Sequence, residues 1–163
     1  MLFRSCPTVV ARDGVVYSLG GRFEGTAAAV KAGGTGDVTE THQVWTKRLG
    51  GPIPSPCLSG DHLYWVSDGG SANCVKAKDG DRVYNERLNR AGTLYASITI
   101  ADGKIYAVSR NNGVYVLPAE PKFEVLAHNT FASDKSIFNG TPAVSNGQLF
   151  LRSDKCMYCI GKK

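Results

Sequence analysis

No apolar run in this 163-residue chain approaches the roughly 18–20 residues that a membrane-spanning helix needs. The opening residues, Met1-Leu2-Phe3-Arg4-Ser5-Cys6, lack the apolar core of a signal peptide, so no export leader is expected. Clustered charge is also missing. The net charge is +5, yet Lys47-Arg48 and Lys162-Lys163 are the only adjacent basic pairs. A nucleic-acid surface needs a basic stripe, preferably interleaved with aromatics, so nucleic acid is not expected as a partner. There are only three histidines, at 42, 62 and 128, each at a different place in the pattern described below. No Ser-His-Asp or Cys-His arrangement follows from their spacing. Five cysteines do not make a dense disulfide framework in a chain of this size.

What is present is a repeated sentence. Residues 97–117 show it most clearly: Ser97-Ile98-Thr99-Ile100, a turn at Asp102-Gly103, then Lys104-Ile105-Tyr106-Ala107-Val108. A second turn, Asn111-Asn112-Gly113, leads to Val114-Tyr115-Val116-Leu117. Asp-Gly and Asn-Gly between apolar runs mark tight hairpins, because two-residue turns of the right twist need positive φ. Four copies begin at Thr8, Ser55, Ser97 and Thr141, and their aromatic anchors are Tyr17, Tyr64, Tyr106 and Phe150. The anchors lie 47, 42 and 44 residues apart. A strand-built period of about 40–50 residues predicts propeller blades.

A third element follows each anchor, at 26–33, 72–77, 113–117 and 156–160. A fourth closes the first three copies, at 43–49, 82–88 and 123–128. The fourth copy reaches Lys163 without one. Residues 26–32 are Ala-rich and favour helix, but the stretch is too short to hold alone, and the repeat register makes it a strand. The second strands are apolar on both faces, as in Leu63-Tyr64-Trp65-Val66, which suits a sheet packed between two others. The expected fold is therefore an all-β propeller of about four consecutive four-stranded blades. They span about residues 5–51, 52–90, 91–134 and 135–163, with the last incomplete.

Candidate sites are few. The Gly33-Gly34-Thr35-Gly36-Asp37 stretch lacks the lysine and hydroxyl of a phosphate loop, and its Asp spacing fails the calcium nonapeptide. Asp37, Glu40 and His42 are one way to hold a metal; a blade loop turning on its glycines is the expectation. Asp61-His62 reads as an exposed turn. Asp79-Gly80-Asp81 supplies too few oxygens for calcium. Cys156 and Cys159 form a C-x-x-C, but in a strand residues three apart face opposite ways, and no second pair completes a zinc site. Cys6, Cys57 and Cys74, like this pair, are expected as buried small hydrophobes. Asn139-Gly140-Thr141 matches a glycosylation sequon too short to carry weight. No catalytic, cofactor-binding or metal residue is assigned.

The repeats resemble the pyrroloquinoline-quinone (PQQ)-like β-propeller repeat, whose motif runs roughly A-x-D-x-x-T-G-x-x-x-W. Ala77-Lys78-Asp79-Gly80-Asp81-Arg82-Val83-Tyr84 matches it with Tyr84 in the tryptophan place, and Ala32-Gly33 and Trp45 bracket a longer version. The end of the chain from Leu151 resembles uncharacterised propellers of planctomycete-type bacteria. The resemblance implies one of two functions. One branch is the quinoprotein dehydrogenases, which bind PQQ and calcium on the ring axis. Their adjacent cysteine pair, their calcium and catalytic motifs and most docking tryptophans have no counterpart here. The other branch uses the propeller as a binding scaffold, as in the outer-membrane assembly lipoprotein of bacteria.

The expected function is accordingly a non-catalytic scaffold presenting loops to a protein or polysaccharide. The alternative is part of a PQQ-dependent oxidoreductase whose catalytic residues lie outside this chain, with PQQ and calcium as cofactors only in that case. Family habit implies an extracytoplasmic, periplasmic location. Members usually close six to eight blades. That predicts a C-terminal half of a longer propeller, two copies forming one ring, or an arc closed by its own N-terminal residues.

Overall fold

A computed structural model describes residues 7–20, 25–50 and 53–161. They form four antiparallel meanders, each with its strands in sequence order. The first sheet holds β1 (Val10–Arg12), β2 (Val15–Leu19), β3 (Thr26–Lys31) and β4 (Gln43–Arg48). A short helical turn, α1 (Thr39–His42), precedes β4. The second holds β5 (Cys57–Ser59), β6 (His62–Val66), β7 (Ser71–Lys76) and β8 (Arg82–Arg87). The third holds β9 (Thr99–Ala101), β10 (Lys104–Ser109), β11 (Gly113–Pro118) and β12 (Ala127–Asn129). The fourth has three strands, β13 (Ala143–Ser145), β14 (Gln148–Arg152) and β15 (Met157–Ile160). This is the expected all-β propeller arrangement.

The first hairpins follow from their turn residues. Asp13-Gly14, Asp102-Gly103 and Asn146-Gly147 all have positive φ at both positions, the requirement of a two-residue turn whose twist matches its strands. The β10–β11 turn differs from expectation. Ser109 pairs with Gly113, so residues 110–112 form the loop, and only Gly113 has positive φ. Gly113 is needed there for closeness: a Cβ would sit 2.1 Å from the carbonyl oxygen of Asn129. The Ala-rich segment is a strand, with Ala27 and Ala29 fully buried. The fourth strand of the third sheet is shorter than the expected 123–128 and later. Phe123 instead packs into the core between the second and third sheets.

Side-chain alternation sends the two faces of each sheet to different neighbours. Tyr17, Leu19, Ala27, Ala29 and Trp45 meet Leu63, Trp65 and Val75 of the second blade. Tyr64, Val66, Ala72 and Cys74 meet Ile105, Ala107, Tyr115 and Leu117 of the third. Val108 and Val114 meet Leu151, with Leu149 and Tyr158 beside it. Three cores thus join four blades, and among the described residues no core joins the fourth to the first. The ring is not closed.

A belt of hydrogen bonds runs through the residues that open each copy. Thr8 N–H donates to Ser55 Oγ at 2.8 Å, Ser55 N–H to Ser97 Oγ at 2.9 Å, and Ser97 N–H to Thr141 Oγ1 at 3.1 Å. Two residues on, Cys57 Sγ donates to Ile98 O at 3.3 Å and Thr99 Oγ1 to Pro142 O at 2.6 Å. The Ser or Thr at the head of each repeat therefore ties one blade to the next.

The cysteine expectation holds in part. Cys74 is buried and Cys57 half-buried, but Cys156 and Cys159 are exposed. The reason is positional: β15 is the outermost strand of the three-stranded blade, and nothing described covers its far side. Among the described residues no helix is long and apolar enough to cross a membrane.

Candidate functional site

Antiparallel meanders put the β6–β7 and β10–β11 turns and the β8–β9 and β12–β13 connections at one end of the molecule. The connection 130–142, from β12 to β13, is held there by one carboxylate. Asp134 Oδ1 accepts from Ser136 N–H at 2.8 Å and from Ser136 Oγ at 2.5 Å. Its Oδ2 accepts from Ser153 Oγ at 2.8 Å and from the Tyr158 hydroxyl at 2.5 Å. These donors, the Ser136 hydroxyl foremost, hold the Asp134 carboxyl far below the usual carboxylate range. The same bond to Asp134 raises the Tyr158 phenol. Phe131 stacks on Phe138 at 5.0 Å and meets Tyr158 at 4.7 Å, while Phe138 N–H donates to Arg110 O at 2.9 Å. The connection is thereby shaped before any partner arrives.

Beside it opens a cleft of about 570 Å³, lined among others by Arg90, Asn111, Asn112, His128 and Lys135. His128 lies against Tyr115, ring centroids 4.1 Å apart and planes within 9°. Its Nε2 is 2.5 Å from Asn112 O. A carbonyl only accepts, so Nε2 carries the proton. The Tyr115 hydroxyl in turn donates to Asn89 O at 2.8 Å. His128 sits on β12, the outer strand of its blade, so this cleft is away from the ring axis. Two cations, two amides and the ionised Asp134 carboxylate line it beside Phe131 and Phe138, a mixed surface on which cations outnumber anions. They supply no nucleophile paired with a base.

A second cleft, about 310 Å³, lies where the first blade meets the second. Its buried Asn73 is satisfied, donating to Ser71 O at 2.8 Å and accepting from Asn85 Nδ2 at 2.5 Å.

The residues singled out in the sequence are mostly kept apart. Asp37 Oδ1 accepts from Thr39 N–H at 3.0 Å, and that bond lowers its carboxyl. His42 bonds through Nδ1 to Thr41 Oγ1 at 2.8 Å and closes against Gly34. Among the described residues no three His, Cys, Asp or Glu side chains gather as a metal site. His62 opens β6 half-buried, 6.2 Å from the Tyr64 ring, rather than standing free in a turn. Asp79 Oδ1 accepts from Asp81 N–H at 2.9 Å, and Asp81 pairs with Lys47 of the first blade at 2.9 Å. Cys6 lies outside the described residues. The Asp134 hub and the His128 cleft were not singled out. The Asp134-Lys135-Ser136 spacing is an Asx-turn signal, but the reach to Ser153 and Tyr158 is tertiary.

The blade-to-blade docking agrees with the PQQ-like motif. Trp45 Nε1–H donates to Ala77 O, the first residue of the motif, at 2.8 Å, and Gly80 lies on its ring. A family model described as outer membrane protein assembly factor BamB matches residues 24–121. The chain belongs to this family.

BamB from Moraxella catarrhalis has the same fold at 14% identity, with a TM-score of 0.70, over 93% of this chain and 41% of that one. The computationally designed Ika8 protein matches at 12% identity and a TM-score of 0.66, over 89% of this chain and 42% of its own. The designed Ika4 protein matches at 9% identity and 0.64, over 94% of this chain and 89% of its own. This chain thus spans about two fifths of the Moraxella BamB. No curated protein sequence matches it significantly.

Proposed function

We propose that this chain is a non-catalytic, loop-presenting propeller module that binds an acidic segment of a protein partner outside the cytoplasm. Membership in the family of an outer-membrane protein assembly factor carries the reading. The shape of the 130–142 connection supports it: a loop fixed by Asp134 spends little ordering entropy on binding. Arg90 and Lys135 outnumber Asp134 in the cleft lining, which supports a partner that brings carboxylates.

The test is fluorescence anisotropy with a labelled poly-glutamate peptide, alongside poly-lysine and a neutral glucan. Binding of the acidic peptide alone is expected, weakening as salt rises. The double variant Arg90→Ala/Lys135→Ala is expected to lose about tenfold or more in affinity, the scale of one or two charge-assisted contacts. Equal binding by that variant overturns the site. Binding of the glucan in place of the peptide moves the reading to a polysaccharide partner.

The dehydrogenase alternative asks for calcium, which takes six to eight oxygen ligands. That alternative places its catalytic residues outside this chain, and the family match described as an outer membrane protein assembly factor favours the scaffold reading. Ring completion is a separate matter. It falls to an N-terminal half of a longer protein, to a second copy, or to the chain's own N-terminal residues.

A further inference from the structure

The two outer faces of the arc differ from the three inner junctions at one layer, and they differ together. In each blade the residue two after the aromatic anchor faces forward, towards the next blade. It is Leu19, Val66 and Val108 in the first three blades and Arg152 in the fourth. The residue one after the anchor faces backward, towards the preceding blade. It is Trp65, Ala107 and Leu151 in the last three blades and Ser18 in the first.

At every inner junction these two layers share one core: Leu19 with Trp65, Val66 with Ala107, Val108 with Leu151. At the two unfilled faces the layer becomes a cation on one side and a small hydroxyl on the other. Arg152 pairs across its sheet with Met157, and Ser18 with Ala28, so both stand on the faces that no core of described residues covers. A guanidinium set against Val66 or Ala107 would be buried without a partner; set against Ser18 it finds an acceptor and room.

Both faces also carry apolar residues among polar ones such as Gln148 and Thr46. Phe150, Met157 and Cys159 lie on the forward face, and Val16, Ala28 and Val30 on the backward one. Met157 is 66% exposed. The belt is directional as well. Each inner junction runs from a backbone N–H of one copy to a hydroxyl of the next. Thr141 N–H and Thr8 Oγ1 are the donor and the acceptor that a further junction of the same kind uses.

We infer that the forward face of the fourth blade docks on the backward face of the first blade of a second copy, with Arg152 opposite Ser18. Two such head-to-tail junctions close a two-fold ring of eight blades. A heterologous contact of this kind ends in a closed assembly only if its rotation closes. Moraxella BamB and Ika8 match 93% and 89% of this chain with less than half of their own length, which leaves room for as many blades again. Closure also removes two bare sheet faces that otherwise invite open association.

The experiment is a charge exchange read by light scattering after size exclusion, with circular dichroism to confirm folding. The unaltered chain is expected at twice its 17.4 kDa mass. Ser18→Arg sets two guanidinium groups against each other and is expected to give monomer. Ser18→Arg with Arg152→Asp is expected to restore the dimer, because the guanidinium introduced at position 18 then faces a carboxylate instead of a second guanidinium. Met157→Lys, on an exposed strand position, reads the same face and is expected to give monomer should Ser18→Arg fail to fold. A monomeric parent chain overturns the inference. So does a mass that climbs with concentration, a folded double variant that stays monomeric, or a Met157→Lys variant that stays dimeric.

Discussion

The indole N–H of Trp45 donates to the carbonyl of Ala77 across the first inter-blade junction, 2.8 Å away. Gly80, three residues further on, has φ of +71° and lies so close to the indole that a Cβ would be 2.8 Å from its Cε3. The motif turn of one blade thus clamps the outer strand of the blade before it. At the next junction Tyr84 replaces the tryptophan and packs on Phe123 at 5.7 Å.

Gly80→Ala is therefore expected to destabilise by about 1–3 kcal/mol, since the turn needs positive φ and the methyl meets a packed ring. Trp45→Phe keeps a ring but leaves the Ala77 carbonyl without its donor, a loss of about 1–3 kcal/mol. Urea denaturation of both variants checks the values, and a combined loss smaller than the sum shows that ring and glycine act as one contact.

The inter-blade belt makes a second prediction. Ser97 accepts from Ser55 N–H through its hydroxyl, so Ser97→Ala removes one acceptor from a half-buried amide. The expected loss is about 0.5–1.5 kcal/mol in denaturant unfolding. Ser97→Thr, the residue type found at Thr8 and Thr141, is expected to restore most of it.

The blade pattern was legible because its signals are local. Hairpin turns announce themselves in Asp-Gly and Asn-Gly, and apolar residues on both faces of β6 and β10 imply neighbours on both sides. The Ser or Thr at the head of each copy was visible as a repeat, though its use as a link between blades was not, because each bond spans more than forty residues. The cleft was hidden for the same reason. Arg90, Asn112, His128 and Lys135 come from three separate connections and an outer strand, and no spacing announces them. The exposed cysteines show the opposite limit: a small apolar residue in a strand reads as buried unless the strand is known to be at an uncovered face.

Those cysteines make a third prediction. Burial pushes the Cys74 thiol up to about 11 and raises Cys57 as well, while Cys156 and Cys159 stand exposed. In a Cys6→Ser background at pH 8, a thiol reagent is expected to modify Cys156 and Cys159 quickly. Cys74 reacts only after unfolding, because the thiolate is the reactive form. Peptide mapping after a timed pulse checks the order, and early labelling of Cys74 contradicts the packing between the second and third blades.

Asp134 sets the last prediction through its protonation. Its carboxyl is lowered in the folded chain by the Ser136, Tyr158 and Ser153 donors, whereas an unfolded aspartate titrates near the usual value of about 4. A group whose folded value is depressed contributes stability that is fully present above the unfolded value and is lost as pH falls below it. The melting temperature of the unaltered chain is therefore expected to hold steady through neutral pH and to drop on acidification below about pH 4. Asp134→Asn keeps the shape but bonds less well to its four donors, so its melting point is expected to be lower at neutral pH and less steep in acid. The two curves converge as Asp134 protonates. Parallel curves across the acid range show that other carboxylates carry the slope.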